Sequence, residues 1–166
     1  ASILIAAACV SHGIVLLFVV AGALVWTVVW LDRRRIVWAL TVGLTSVLLL
    51  LWWAGPFVLN HEFMTDMKYG PRPEGADDSF WDMFFPLTAP LDFVITTLAL
   101  VGAAWCVLRR HLHGAALTLT GLVFVAGVYL ARDSLPVIGL LWNPRLLPFV
   151  YLVRYLLMMV GAYAVM

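Results

Sequence analysis

The sequence predicts an all-α fold: a polytopic transmembrane helical bundle of about five spans, together with one truncated span. The first observation behind this prediction is composition, because 64% of the 166 residues are hydrophobic and only 11% are charged, with a mean hydropathy of +1.04. Helices this apolar would have no water-facing side in a soluble protein. The second observation is that the apolar residues fall into runs of about 20, the length that crosses a hydrocarbon core of ~30 Å.

The first apolar stretch, residues 1–31, is interrupted by the polar triplet Ser-His-Gly at 11–13. As one helix it would be ~46 Å long, which is too long for a single crossing. We therefore expect residues 1–10 to be the tail of an earlier span and 13–31 to be the first complete one. Because the chain opens and stops inside apolar runs and lacks an initiator Met, we also expect 1–166 to be one transmembrane region of a larger protein.

The loops between the spans alternate in charge. Four more spans are predicted after the first, at 36–59, 89–108, 114–131 and 145–166. Arginines cluster in two short loops, at 33–35 and 109–110, and the positive-inside rule makes both loops cytoplasmic. The loop at 60–88 is then outside, and its acidic residues outnumber its basic ones. Both signals indicate a multi-pass protein of the plasma membrane with 60–88 extracytoplasmic.

The outer loop 60–88 combines acidic and aromatic residues. Its SFWDMFFPL segment has the pattern of a short amphipathic helix on the membrane surface. The carboxylates of Asp77, Asp78 and Asp82, with Glu62 and Asp66 upstream, could hold a divalent cation through hard oxygen ligands. The alternative is a solvated acidic loop that only follows the topology, and no Cys/His spacing in the chain resembles a zinc site.

Two histidines on the predicted outer side are candidates for contact with a substrate. His12 lies in the break between the first two apolar segments, where the alternative role is a structural hydrogen-bonding group. His61 is followed by Glu62, but adjacent side chains diverge on a helix, which argues against a catalytic pair. The catalytic residues are therefore unknown from the sequence.

The start of the last span has the features of an anion site. Asn143 is a good N-cap and Pro144 a good first helical residue, so we expect the helix to begin there. Its free backbone N–H groups and the positive end of the helix dipole would lie next to the charge of Arg145. Arg132, from the end of the preceding span, could stand nearby as a second cation.

Arg154 is the most informative single residue, because it lies about ten residues from either end of the last apolar run. A charge at that depth costs at least ~2.5 kcal/mol, so it normally pairs with another group or binds an anion. It lies about 13 Å deeper than Arg145 and on roughly the opposite side of an ideal helix. Two explanations remain open: an intramembrane pair with Asp92, or a ligand role in which Tyr151 takes part.

Several short motifs resemble those of one group of membrane enzymes. They are the Ser-His-Gly break at 11–13, the Trp-Trp-Ala-Gly-Pro exit at 52–56, the Tyr-Gly pair at 69–70 and the Trp-Asn-Pro-Arg-Leu-Leu-Pro-Phe run at 142–149. With these motifs the chain resembles the multi-pass GT-C type glycosyltransferases, especially the large actinobacterial proteins of the arabinofuranosyltransferase kind. The likeness extends over most of the chain.

The resemblance implies a transferase of cell wall biogenesis that takes a sugar from a polyprenyl-phosphate donor and passes it to a glycan acceptor on the outer face. It also implies an acidic catalytic base in a first outer loop upstream of this chain. The chain itself would then supply the groove for the carrier lipid. Two other functions stay open: a lipid or small-molecule transporter or flippase, and a non-catalytic scaffold that holds other membrane subunits. No basic patch with interleaved aromatics indicates nucleic acid.

Overall fold

The computed structural model describes residues 1–63, 81–129 and 143–166, and every regular element within these ranges is helical. The all-α prediction is confirmed for these parts of the chain. Two tight 3-10 turns, His61–Phe63 and Asn143–Leu146, accompany the helices. The helices are α1 Ser2–Ser11, α2 Ile14–Val29, α3 Arg33–Leu59, α4 Trp81–Phe84, α5 Ala89–Leu108, α6 Leu112–Tyr129 and α7 Leu147–Val165.

Four of the described helices, α3, α5, α6 and α7, are long and apolar enough to cross a membrane. This supports a membrane protein. The count of five spans is not confirmed, because α2, in the predicted span 13–31, has only 16 residues. A helix of that length extends ~24 Å, less than the ~30 Å of a hydrocarbon core.

The described residues form two compact units, of which unit 1 is residues 1–63 and unit 2 is residues 81–129 with 143–166. In unit 1 the predicted break after α1 is confirmed. His12 has an extended backbone (φ −158°, ψ 111°), and the hydroxyl of Ser11 donates to the carbonyl of Ala8 at 2.7 Å. The helix therefore ends, and α1 packs against α3 through a small core of Ala6, Cys9 and Leu50.

Unit 2 is a bundle of three long helices in which α5 and α7 run in the same direction and α6 runs against them. The backbones of α5 and α7 touch at two glycines: a Cβ atom on Gly102 would collide with the carbonyl oxygen of Leu157, and one on Gly161 with that of Leu98. Small residues of this kind let membrane helices approach closely. Because α5 and α7 run in the same direction, their starts lie at the same end of the bundle.

The short helix α4 and the segment after it cover that end of unit 2. The predicted surface helix in SFWDMFFPL is observed over the four residues Trp81–Phe84, and its place at a membrane surface stays a prediction. Phe84 is buried and its ring packs against that of Tyr129, 5.6 Å away, where α6 ends. The remainder of the predicted outer loop, 64–80, lies outside the described residues.

Candidate functional site around Arg154

Arg154 of α7 and Asp92 of α5 form an ion pair inside unit 2. The guanidinium Nη2 lies 3.1 Å from the carboxylate Oδ1, and the two side chains are only 10% and 3% exposed. The helices α5 and α7 pack closely and run in the same direction. Because Asp92 and Arg154 both lie in the first half of their helix, this packing brings them together. Of the two explanations for Arg154, the pair with Asp92 is therefore observed.

Asp92 has a second partner that fixes its orientation. Its Oδ2 accepts a hydrogen bond of 2.7 Å from the backbone N–H of Leu87, in the segment before α5. The carboxylate also lies in the first turn of α5, where it offsets the positive end of the helix dipole. Both carboxylate oxygens of Asp92 thus lie next to a donor or a cation, Oδ2 at Leu87 and Oδ1 at Arg154.

Arg154 is held on three sides besides the carboxylate. Its Nη1 donates to the carbonyl of Phe84 at 2.9 Å, at the end of α4. Its guanidinium carbon lies 5.5 Å from the ring centre of Tyr151 and 5.6 Å from that of Tyr155, within the range of cation–π attraction. The rings of Tyr151 and Tyr155 therefore flank the guanidinium.

Tyr151 acts as a positioning residue in this arrangement. Its hydroxyl donates to the carbonyl of Met83. Met83 directly precedes Phe84, whose carbonyl accepts the hydrogen bond from Arg154. Two successive carbonyls at the end of α4 are thus bound by side chains of α7. Together with the bond from Leu87 to Asp92, these contacts fasten residues 83–87 to the bundle.

The ion pair does not use all of its hydrogen-bonding capacity. The 3.1 Å contact lacks hydrogen-bond geometry, so Nη2 and Nε of Arg154 and Oδ1 of Asp92 are buried without a hydrogen-bond partner. The hydroxyl of Thr96, one turn beyond Asp92, is also buried without a hydrogen-bond partner. Buried polar atoms without partners are uncommon in folded proteins.

Arg154 and Thr96 are among the residues that line an apolar groove of about 220 Å³. Its other lining residues belong to α5, α6 and α7, together with Phe84 and Phe85. The sequence reasoning missed both this groove and Thr96. The available signal was the spacing of four between Asp92 and Thr96, which places them on one helix face, but nothing in the sequence indicates that this face meets α7.

Arg145 lies in the turn Asn143–Leu146 and is half-buried. The expectation that α7 begins at Pro144 with Asn143 as its N-cap is wrong, because the residue before the α-helix is Leu146. The chain first makes a 3-10 turn there, as is frequent at helix N-termini, and this moves the α-helical start to Leu147. The second predicted cation, Arg132, lies outside the described residues.

The two candidate histidines belong to unit 1. His12 is exposed at the C-terminal end of α1, and its backbone N–H donates to the carbonyl of Ala8. His61 opens the 3-10 turn that follows α3. Their contact with a substrate stays a prediction.

Within the described ranges, no group of three or more His, Cys, Asp or Glu side chains comes together. Of the three aspartates predicted to hold a cation, Asp82 lies in α4, while Asp77 and Asp78 lie outside those ranges. Comparison of the chain with protein-family models, with curated proteins and with solved structures gave no match.

Proposed function

We propose that this chain is part of an integral membrane glycosyltransferase that uses a polyprenyl-phosphate sugar donor at the outer face of the plasma membrane, with Arg145 as the residue that binds the donor phosphate. The observation that carries the proposal is the different environment of two arginines. The charge of Arg154 is already balanced by Asp92 at 3.1 Å. Arg145 lies instead at the start of the last long helix, half-buried in the turn Asn143–Leu146.

The position of Arg145 supports this assignment. Leu146 and Leu147 next to it are buried, so the turn is anchored where α7 meets α6. Among the described residues of unit 2, the other basic side chains besides Arg154 are those of Arg109 and Arg110 with two histidines, and they follow the end of α5. Arg145 thus lies at the end of the bundle that the positive-inside rule places outside.

The chemistry of the side chain fits a phosphate monoester or diester. A guanidinium presents two parallel N–H donors to two phosphate oxygens, and a charge-assisted hydrogen bond of this kind contributes ~1.5 to 3 kcal/mol. The positive end of the α7 helix dipole lies next to this turn and would favour an anion there. The sugar and the glycan acceptor would then lie at the outer surface, and the resemblance to GT-C enzymes puts the catalytic base upstream.

The test is binding of undecaprenyl phosphate to the intact purified protein in nanodiscs. Arg145→Ala should weaken binding about ten- to a hundredfold, since 1.4 kcal/mol corresponds to a factor of ten. Arg145→Lys should restore only part of the affinity, because a point charge does not reproduce the fork of two donors. Arg109→Ala, at the other end of α5, is the matched control and should bind like wild type.

Two results would count against the proposal. Equal binding by wild type and Arg145→Ala would remove the donor phosphate from this turn. If the intact protein moved the carrier lipid from one leaflet to the other without transferring a sugar, a transporter would be favoured over a transferase.

A further inference from the structure

A pocket of about 420 Å³ lies at the start of α3, and most of the residues that line it are charged. They are Asp32, Arg34, Arg35 and Trp38, all in unit 1. The four side chains are exposed, so a molecule outside the protein can reach them. Two guanidinium groups, one carboxylate and one indole ring therefore meet in one open pocket.

Helix geometry places two of the three consecutive arginines in this pocket. Arg34 and Arg35 precede Trp38 by four and three residues, the spacing of neighbours on a helix surface. Arg33 precedes Trp38 by five residues, which puts it ~140° away around an ideal helix. Arg33 accordingly does not line the pocket. The pocket is thus narrower than the basic loop as a whole.

The neighbours of Arg35 and Asp32 leave both charges in place. The guanidinium carbon of Arg35 lies 5.2 Å from the ring centre of Trp30, the residue that ends α2, within the range of cation–π attraction. This contact positions the guanidinium without neutralising it. Asp32 directly precedes α3, but its side chain makes no hydrogen bond that caps the helix.

The charges of the pocket match one kind of anion. Arg34, Arg35 and Asp32 together carry a net charge of +1, which a phosphodiester with a single negative charge balances. The guanidinium groups are donors suited to phosphate oxygens. The carboxylate of Asp32 repels a second anion and accepts hydrogen bonds, so it favours a phosphodiester that also carries hydroxyl groups.

The position of the pocket along α3 matches the level of lipid phosphates. The 27 residues of this helix extend ~40 Å, about 10 Å more than a hydrocarbon core, so its ends reach the headgroup regions. Trp30 and Trp38 lie beside the pocket, and tryptophan is enriched at this level of a membrane. The pocket opens at the first turn of α3, where the phosphodiester of a membrane lipid lies.

We propose that this pocket binds the headgroup of an anionic glycerophospholipid that bears free hydroxyl groups, as phosphatidylglycerol does. The phosphodiester accepts hydrogen bonds from Arg34 and Arg35, and a headgroup hydroxyl donates to Asp32. The site belongs to unit 1 and is different from the donor phosphate site at Arg145. It does not depend on the proposed glycosyltransferase function.

The experiment compares two lipids of equal charge. Native mass spectrometry of the intact, delipidated protein measures the binding of dioleoyl phosphatidylglycerol and of dioleoyl phosphatidylethanol, a phosphodiester whose headgroup has no hydroxyl. Wild type should bind phosphatidylglycerol about three- to tenfold more tightly, the range expected for one hydrogen bond. Asp32→Ala should abolish this preference. It should also strengthen the binding of phosphatidylethanol, because a repelling carboxylate is removed.

The arginines are tested with a matched control from the same turn. Arg34→Gln and Arg35→Gln should each weaken the binding of phosphatidylglycerol about five- to tenfold. Arg33→Gln removes the same charge one residue earlier, outside the pocket, and should stay within about twofold of wild type.

Three results would overturn the inference. Equal losses in all three arginine variants would indicate a diffuse attraction of the basic loop to anionic lipid instead of a pocket. Equal binding of the two lipids by wild type excludes the contact with Asp32 and requires no variant. Displacement of phosphatidylglycerol by an equal concentration of glycerol phosphate would assign the pocket to a water-soluble phosphate.

Discussion

Arg154 and Asp92, whose charged atoms lie 3.1 Å apart, join α7 to α5 inside the membrane part of unit 2. Through the same two side chains the pair also holds the segment between α4 and α5, because Asp92 accepts from Leu87 and Arg154 donates to the carbonyl of Phe84. One ion pair therefore connects three elements. This explains why a charge is retained at a depth where an isolated one would be costly.

The ion pair provides the first prediction. Asp92→Leu leaves the guanidinium buried without a counter-ion and should lower stability by about 3 to 5 kcal/mol. Adding Arg154→Met to the same protein removes the uncompensated charge and should recover most of the loss. Thermal unfolding of the intact protein in detergent measures both, with Asp32→Leu, at an exposed position before α3, as the control. A double variant no more stable than Asp92→Leu alone would contradict this account.

The close contact of α5 and α7 provides the second prediction. Gly102→Ala places a methyl group against the backbone at Leu157 and should destabilise the protein by about 1 to 3 kcal/mol, as overpacking does. Gly43→Ala is the control, because the space around Gly43 in α3 is open and alanine is the better helix former there. If both substitutions left the unfolding temperature unchanged or raised it, the helices would not touch at Gly102.

How much of this could be predicted from the sequence depends on the feature. The pairing of Arg154 with Asp92 could be anticipated, because a deep charge needs a partner and few acids lie near a membrane span. The break at His12 was predictable because polar residues interrupt an apolar run. The groove, and the position of Thr96 in its wall, could not be predicted. These helices are apolar on all sides, so the pattern of residues does not distinguish a face that meets another helix from one that meets lipid.

The start of α7 shows a second limit of the sequence reasoning. Asn143 and Pro144 have the right chemistry for the beginning of an α-helix, but the chain makes a 3-10 turn there and begins the α-helix at Leu147. An asparagine N-cap is typically worth only about 1 kcal/mol, so a local preference of this size does not by itself fix where an α-helix begins, and 3-10 turns are frequent at helix N-termini.

The third prediction concerns topology and rests on the charge of alternate loops. A cysteine at Glu74 should react with a membrane-impermeant maleimide added outside intact cells, and a cysteine at Arg34 should react only after the cells are opened. The two native cysteines, Cys9 and Cys106, are buried and are replaced by alanine beforehand. The reverse labelling pattern would move Arg145 to the cytoplasmic face and exclude an outer donor site.

The central claim is that the two arginines divide two tasks: Arg154 holds the structure together and Arg145 binds the donor phosphate. The most direct measurement compares the affinity for undecaprenyl phosphate of two proteins, Arg145→Ala and the double variant Asp92→Leu with Arg154→Met. We expect the first to lose about ten- to a hundredfold in affinity and the second to stay within about twofold of wild type. The opposite result, normal affinity in Arg145→Ala and a large loss in a folded double variant, would make Arg154 the ligand of the phosphate and contradict the account.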